Sequence, residues 1–141
     1  MRLFLDTNVL LSACGSAKGA SRQIIELAAF NRWHLVVTPY VMSEVRKNIP
    51  QVSPAALLEW PAIQAHLLVM QDVYSIHLPA VFSVPKDRPV LFGALAWADV
   101  LLTLDKNDFQ DLLGSNFYRL AILKPGEFLK REREAGRLNM P

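Results

Sequence analysis

Apolar runs at Leu3–Leu5, Trp33–Thr38, Val100–Leu104 and Leu120–Leu123 alternate with stretches of helical periodicity along the chain. That alternation predicts an α/β fold with a central, mostly parallel sheet. Two further observations agree. The composition, 52% hydrophobic and 20% charged, is that of a compact globular protein, and acids recur just after the apolar runs, where right-handed crossovers gather strand ends along one sheet edge.

Each element has a local reason. Leu3–Leu5 reads as a short buried strand, and Thr7 or Asn8 can cap a brief helix through Ala13. Gly15-Ser16-Ala17-Lys18-Gly19 is a turn-rich break. Ser21 can cap the next helix, whose apolar side carries Ile24, Ile25, Leu27, Ala28 and Phe30. Trp33–Thr38 is the second strand, and Pro39 suits the first turn of a third helix, with Glu44 just over one turn inside it.

Prolines punctuate the middle of the chain. Ser53-Pro54 reads as a cap and first-turn proline, and Pro61 is expected to divide that helical stretch in two. Val73–Leu78 favours extended structure. Asp87 can cap a helix that starts near Pro89 and buries Val90, Leu91, Ala94 and Leu95. Val100–Leu104 is a strand followed at once by Asp105. Asp108–Leu113 makes a short helix ended by Gly114, Leu120–Leu123 is the last strand, and Pro125-Gly126 opens a helix through about Arg133.

At 141 residues the chain is expected to form a single domain over residues 1–141, with the end of a C-terminal helix and a tail in the last residues. No run approaches the roughly 18 apolar residues of a membrane helix, and no signal peptide is recognisable, so a cytoplasmic location is expected. Cys14 has no partner for a disulfide and reads as an apolar filler. The net charge of +2 is too mild to argue for nucleic acid. Lys130, Arg131, Arg133 and Arg137 are interrupted by Glu132 and Glu134, the pattern of a solvated helix face. His34, His66 and His77 lack metal-ligand spacing, and no Gly-x-Ser-x-Gly turn is present for serine chemistry.

The chemistry therefore rests on acids. Asp6, Glu44, Asp87 and Asp105 each lie just after a strand or near the start of the following helix. Carboxylates gathered at one edge repel one another unless protons or a cation neutralise them. A hard divalent cation such as Mg²⁺ or Mn²⁺ is the natural partner for oxygen ligands. Each acid also has a plainer reading: Asp6 or Asp87 as a helix cap, Glu44 as surface charge, Asp105 or Asp108 as turn residues.

Taken in order, Phe4-Leu5-Asp6-Thr7-Asn8-Val9-Leu10-Leu11, Pro39 with Ser43-Glu44-Val45, Lys86-Asp87-Arg88-Pro89-Val90-Leu91, Ala98-Asp99-Val100-Leu101-Leu102-Thr103 with Asp105-Lys106-Asn107-Asp108-Phe109, and Ile122–Leu129 closely resemble the PIN-domain ribonucleases. The resemblance spans nearly the whole chain. It implies a PIN-like three-layer α/β/α sandwich whose acids hold Mg²⁺ or Mn²⁺ and cut RNA. Small members are commonly the VapC-like toxin of a VapBC-type toxin–antitoxin pair, which implies an antitoxin partner and a homodimer. Carried across by position, the metal-site and catalytic acids are Asp6, Glu44, Asp87 and Asp105. Asn8 and Thr103 match supporting polar positions, and Asp108 is a further acid.

Arg46, Lys86, Arg88 and Lys106 are the bases nearest these acids and could position a phosphate backbone without reading sequence. The chain departs from the family at Trp97, which precedes Ala98-Asp99 where relatives often carry glycine, and at Phe92 in a stretch frequently rich in alanine. These aromatics serve either core packing or an altered partner surface. Two rivals remain. Haloacid-dehalogenase-type phosphatases place a second aspartate two residues after the first, where this chain has Asn8. A noncatalytic PIN-like scaffold that binds RNA or protein would need no intact acid set.

Overall fold

A computed structural model describes residues 1–74, 88–105, 113–114 and 116–141, with no side-chain description at 88, 116 and 117. Among the described residues, six strands form one sheet: β1 (Arg2–Leu5), β2 (His34–Val37), β3 (Leu67–Val69), β4 (Val100–Leu102), β5 (Asn116–Phe117) and β6 (Leu120–Leu123). Their spatial order is β3-β2-β1-β4-β6-β5. All neighbours run parallel except β5 and β6, a terminal antiparallel hairpin. The helices are α1 (Thr7–Gly15), α2 (Ala20–Asn31), α3 (Pro39–Asn48), α4 (Pro54–Gln64), α5 (Arg88–Trp97) and α6 (Pro125–Glu134), with a 3₁₀ turn at Ile49–Gln51. They make the α/β fold expected from the alternation and the three-layer α/β/α arrangement implied by the resemblance.

The central strands are continuous apolar runs because both sheet faces are covered. Leu3, Phe4, Leu5, Val37, Leu101 and Leu102 are fully buried. Helix α5 lies close on this sheet: a Cβ at Gly93 would come within 3.1 Å of the Phe4 ring and 3.2 Å of Thr38 Cγ2. Helix α6 is anchored by Phe128, whose ring meets Trp33 edge-on at a centroid distance of 5.0 Å. Cys14 is buried among the core residues and burial pushes its thiol pKa up, as befits an apolar filler.

Several boundaries differ from expectation for identifiable reasons. Of the caps offered for α1, Asp6 takes the place and Thr7 and Asn8 do not, and Gly19, not Ser21, precedes α2. Phe30 is exposed rather than on the buried side of α2. Pro61 lies inside a single helix, because Ala56, Trp60 and Ile63 continue one buried stripe across it and packing outweighs the lost backbone bond. Val73 and Tyr74 are not in a strand; β3 lies earlier, at Leu67–Val69, and the rest of the expected Val73–Leu78 strand falls outside the described residues. The expected Asp108–Leu113 helix falls almost wholly outside them too. Glu132 is buried rather than solvated, and Arg137 grips it through two hydrogen bonds, Nε–Oε2 2.7 Å and Nη2–Oε1 3.2 Å. His34 and His66 are exposed, and His77 lies outside the described residues.

The hairpin from β5 to β6 turns through Tyr118 and Arg119, both at positive φ (48° and 70°). A two-residue loop of this kind favours Asn-Gly, because side chains crowd the backbone there. Arg119→Gly is expected to raise unfolding stability by about 1 kcal/mol, read from the denaturant midpoint; a lower midpoint would show that Arg119 makes a contact worth more than the strain.

Candidate active site

Strand order reverses at β1: the chain builds β2 and β3 to one side, then crosses to place β4 and β6 on the other. Such a switch point opens a crevice at the carboxyl ends of the two strands flanking it. Asp6 follows β1 and Thr103 follows β4, so both stand at that crevice.

Asp6 is 6% exposed and does two jobs at once. Its backbone N–H donates to the Leu102 carbonyl at 3.0 Å, extending the β1–β4 ladder, while its own carbonyl accepts from Val9 and Leu10 to start α1. Its Oδ1 accepts from the Thr7 N–H at 2.8 Å, and its Oδ2 accepts from the Thr103 hydroxyl at 2.7 Å.

Thr103 is fully buried and sets the geometry between strands. An ionised carboxylate only accepts, so the hydroxyl hydrogen points at Asp6 and a hydroxyl lone pair receives the Asp105 N–H at 3.1 Å. Asp105 is thus tied to Asp6 through one hydroxyl. Asn8, in the first turn of α1, reaches across with Oδ1 to the Leu104 N–H at 3.0 Å. Two bonds that span nearly a hundred positions, Thr103 to Asp6 and Leu104 to Asn8, therefore hold the end of β4 against the start of α1, and the Asp105 backbone N–H joins them through Thr103.

Glu44 stands in the second turn of α3, half-buried, with its carbonyl accepting from Asn48 Nδ2 at 2.7 Å. Arg46 is exposed in the last turn of the same helix. Asp87, Asp108, Lys86 and Lys106 lie outside the described residues, and Arg88 is described only as the start of α5. Among the described residues, no three His, Cys, Asp or Glu side chains form a group able to hold a metal ion.

One acid at this sheet edge was not singled out by the sequence. Asp72, three residues beyond β3, accepts the Tyr40 N–H with both carboxylate oxygens at 3.2 Å. The signal was available: a strand at Leu67–Val69 would have placed Asp72 after a strand end, like the other acids. Trp97 has a defined task as well, since its Nε1–H donates to the Gln71 carbonyl at 2.8 Å.

A family model described as the PIN domain matches residues 2–107. The chain belongs to the PIN-domain family. PIN domains are nucleases that generally use divalent metal ions. The fold of this PIN domain is similar to that in the crystal structure of VapBC2 from Rickettsia felis bound to a DNA fragment from their promoter. The two share 15% identity and a TM-score of 0.60, over 86% of this chain and 97% of that one. No curated protein matches the sequence. The family match ends at residue 107, yet β6 and α6 complete the same sheet and core beyond it. Among the described residues of the PIN domain, no helix is long and apolar enough to cross a membrane.

Proposed function

We propose that this PIN domain is a Mg²⁺- or Mn²⁺-dependent endoribonuclease that hydrolyses RNA phosphodiester bonds, acting as the toxin of a VapBC-type toxin–antitoxin pair. The observation that carries the reading is Asp6: a buried carboxylate at the switch-point crevice, fixed by Thr7 and Thr103 and tied through Thr103 to Asp105. Family membership and the fold likeness to VapBC2 support it.

The donor chemistry fits such an ion. Asp6, Glu44, Asp87 and Asp105 offer only carboxylate oxygens, which suit Mg²⁺ and Mn²⁺ better than softer metals. When bound, the ion would polarise a backbone phosphate, lower the pKa of a water and neutralise the departing oxygen. Asp6 and Asp87 would be the central ligands; Glu44 would hold the ion directly or through water, or orient the nucleophile; Asp105 would complete the negative pocket. Thr103 and Asn8 keep Asp6 and the end of β4 in register, and Asp108 would be a further acid. Arg46, Lys86, Arg88 and Lys106 engage the RNA backbone. The partners are a cognate antitoxin and a second copy of the chain, in the cytoplasm.

Purified protein incubated with total RNA is expected to cleave in Mg²⁺ or Mn²⁺, to stop on adding EDTA and to resume when the ion is restored in excess. Cleavage that survives exhaustive chelation would overturn the metal-dependent reading. RNA binding with no cleavage in either ion would make the protein a scaffold.

A further inference from the structure

Three residues after β3 connect three separate elements. The Met70 N–H donates to the Val37 carbonyl at 2.8 Å, at the end of β2. The Gln71 carbonyl accepts from Trp97 Nε1–H at 2.8 Å, at the end of α5. Asp72 accepts the Tyr40 N–H, in the first turn of α3. Residues 70–72 thus form a strap across the sheet edge.

The strap supplies what α3 lacks. Its N-cap residue is Thr38, a type that ordinarily caps with its own hydroxyl, but Thr38 makes no side-chain cap bond. The Thr38 hydroxyl is fully buried and has no hydrogen-bond partner among the described residues. Its Cγ2 faces α5, 3.2 Å from where a Cβ on Gly93 would stand, so rotating the side chain to cap the helix disturbs that close packing. The next residue, Pro39, has no N–H, and the one after it, Tyr40, is the amide that Asp72 takes. In an α-helix the Glu44 amide bonds back to the Tyr40 carbonyl, and the two residues share a face.

We propose that Asp72 and Trp97 are positioning residues for Glu44: Trp97 pins the strap, the strap presents Asp72, and Asp72 fixes the turn of α3 from which Glu44 projects. The role of Glu44 in cleavage rests on the proposed nuclease function; its being held by the strap does not.

The test compares the full chain with Asp72→Ala, Asp72→Asn and Trp97→Phe, by amide hydrogen exchange along α3 and by Mn²⁺-dependent cleavage of an RNA oligonucleotide of mixed sequence. Asp72→Ala and Trp97→Phe should speed exchange about fivefold to tenfold, the effect of losing one cap, at Tyr40 and Glu44 together. The kcat should fall by a similar factor with KM unchanged. Asp72→Asn, which keeps an acceptor for the Tyr40 N–H, should recover most of both. Faster exchange at Tyr40 with Glu44 protection and kcat unmoved would overturn the proposal, as would an Asp72→Asn variant as impaired as Asp72→Ala. A wild-type chain that cleaves nothing would sink the nuclease reading alone, and exchange at Glu44 would still decide whether the strap holds it.

Discussion

Asp6→Asn is expected to lower kcat for RNA cleavage by more than about a hundredfold while leaving the melting temperature nearly unchanged. Removing a group that merely orients a metal ligand costs about 10–100-fold in affinity or activity, and removing the charge of a ligand itself costs more. The fold should tolerate the change, because an asparagine oxygen can still accept the Thr7 N–H that caps α1. On the other side, Thr103 can turn its hydroxyl to accept from the new amide, since it has two lone pairs and Asp105 uses one. Asp6→Ala separates the two tasks of the residue: it should abolish cleavage equally and in addition lose about 1 kcal/mol of stability with the cap. An Asp6→Asn protein that cleaves at the wild-type rate would reduce Asp6 to a helix cap.

The largest effect on stability is expected at Phe128→Ala. Phe128 is 2% exposed on α6 and packs edge-on against Trp33 just before β2, so truncation removes both its buried area and the ring contact. A cost of about 3–5 kcal/mol follows from the cavity left behind, which for a chain of this size lowers Tm on the order of 10 °C. Thermal melts followed by circular dichroism would show it. A fall of only a degree or two would mean that the segment beyond the family match is an appendage. The bonding argues otherwise, because the Thr103 N–H donates to the Leu123 carbonyl in β6.

What could be read from the sequence follows burial. Strands β1, β2, β4 and β6 are paired on both sides and covered on both faces, so their residues form unbroken apolar runs that stand out against the helices. Strands β3 and β5 are the two edges. Leu68 and Val69 are half-exposed, and β5 is two residues long, so neither carries a pattern that separates it from a loop. Missing β3 also hid Asp72, whose place is intelligible only once a strand ends before it. Asp6 shows a different limit. The sequence set cap against functional acid, whereas one carboxylate caps α1 with one oxygen and meets Thr103 with the other. Trp97 was visible as a departure from the family, but its hydrogen bond to a backbone carbonyl 26 residues earlier has no local signature.

The bond between Asp6 and Thr103 joins residues 97 positions apart, and the β4 strand that brings Thr103 there is itself held by β6. A chain emerging from the ribosome carries Asp6 out before Thr103, cannot set the two together until β4 has been made, and cannot brace β4 until Leu120–Leu123 follow. Domains of this kind fold as units once their distant contacts are available. The crevice is consequently assembled only after Leu120–Leu123 have been made, and a nascent chain stays without it until then.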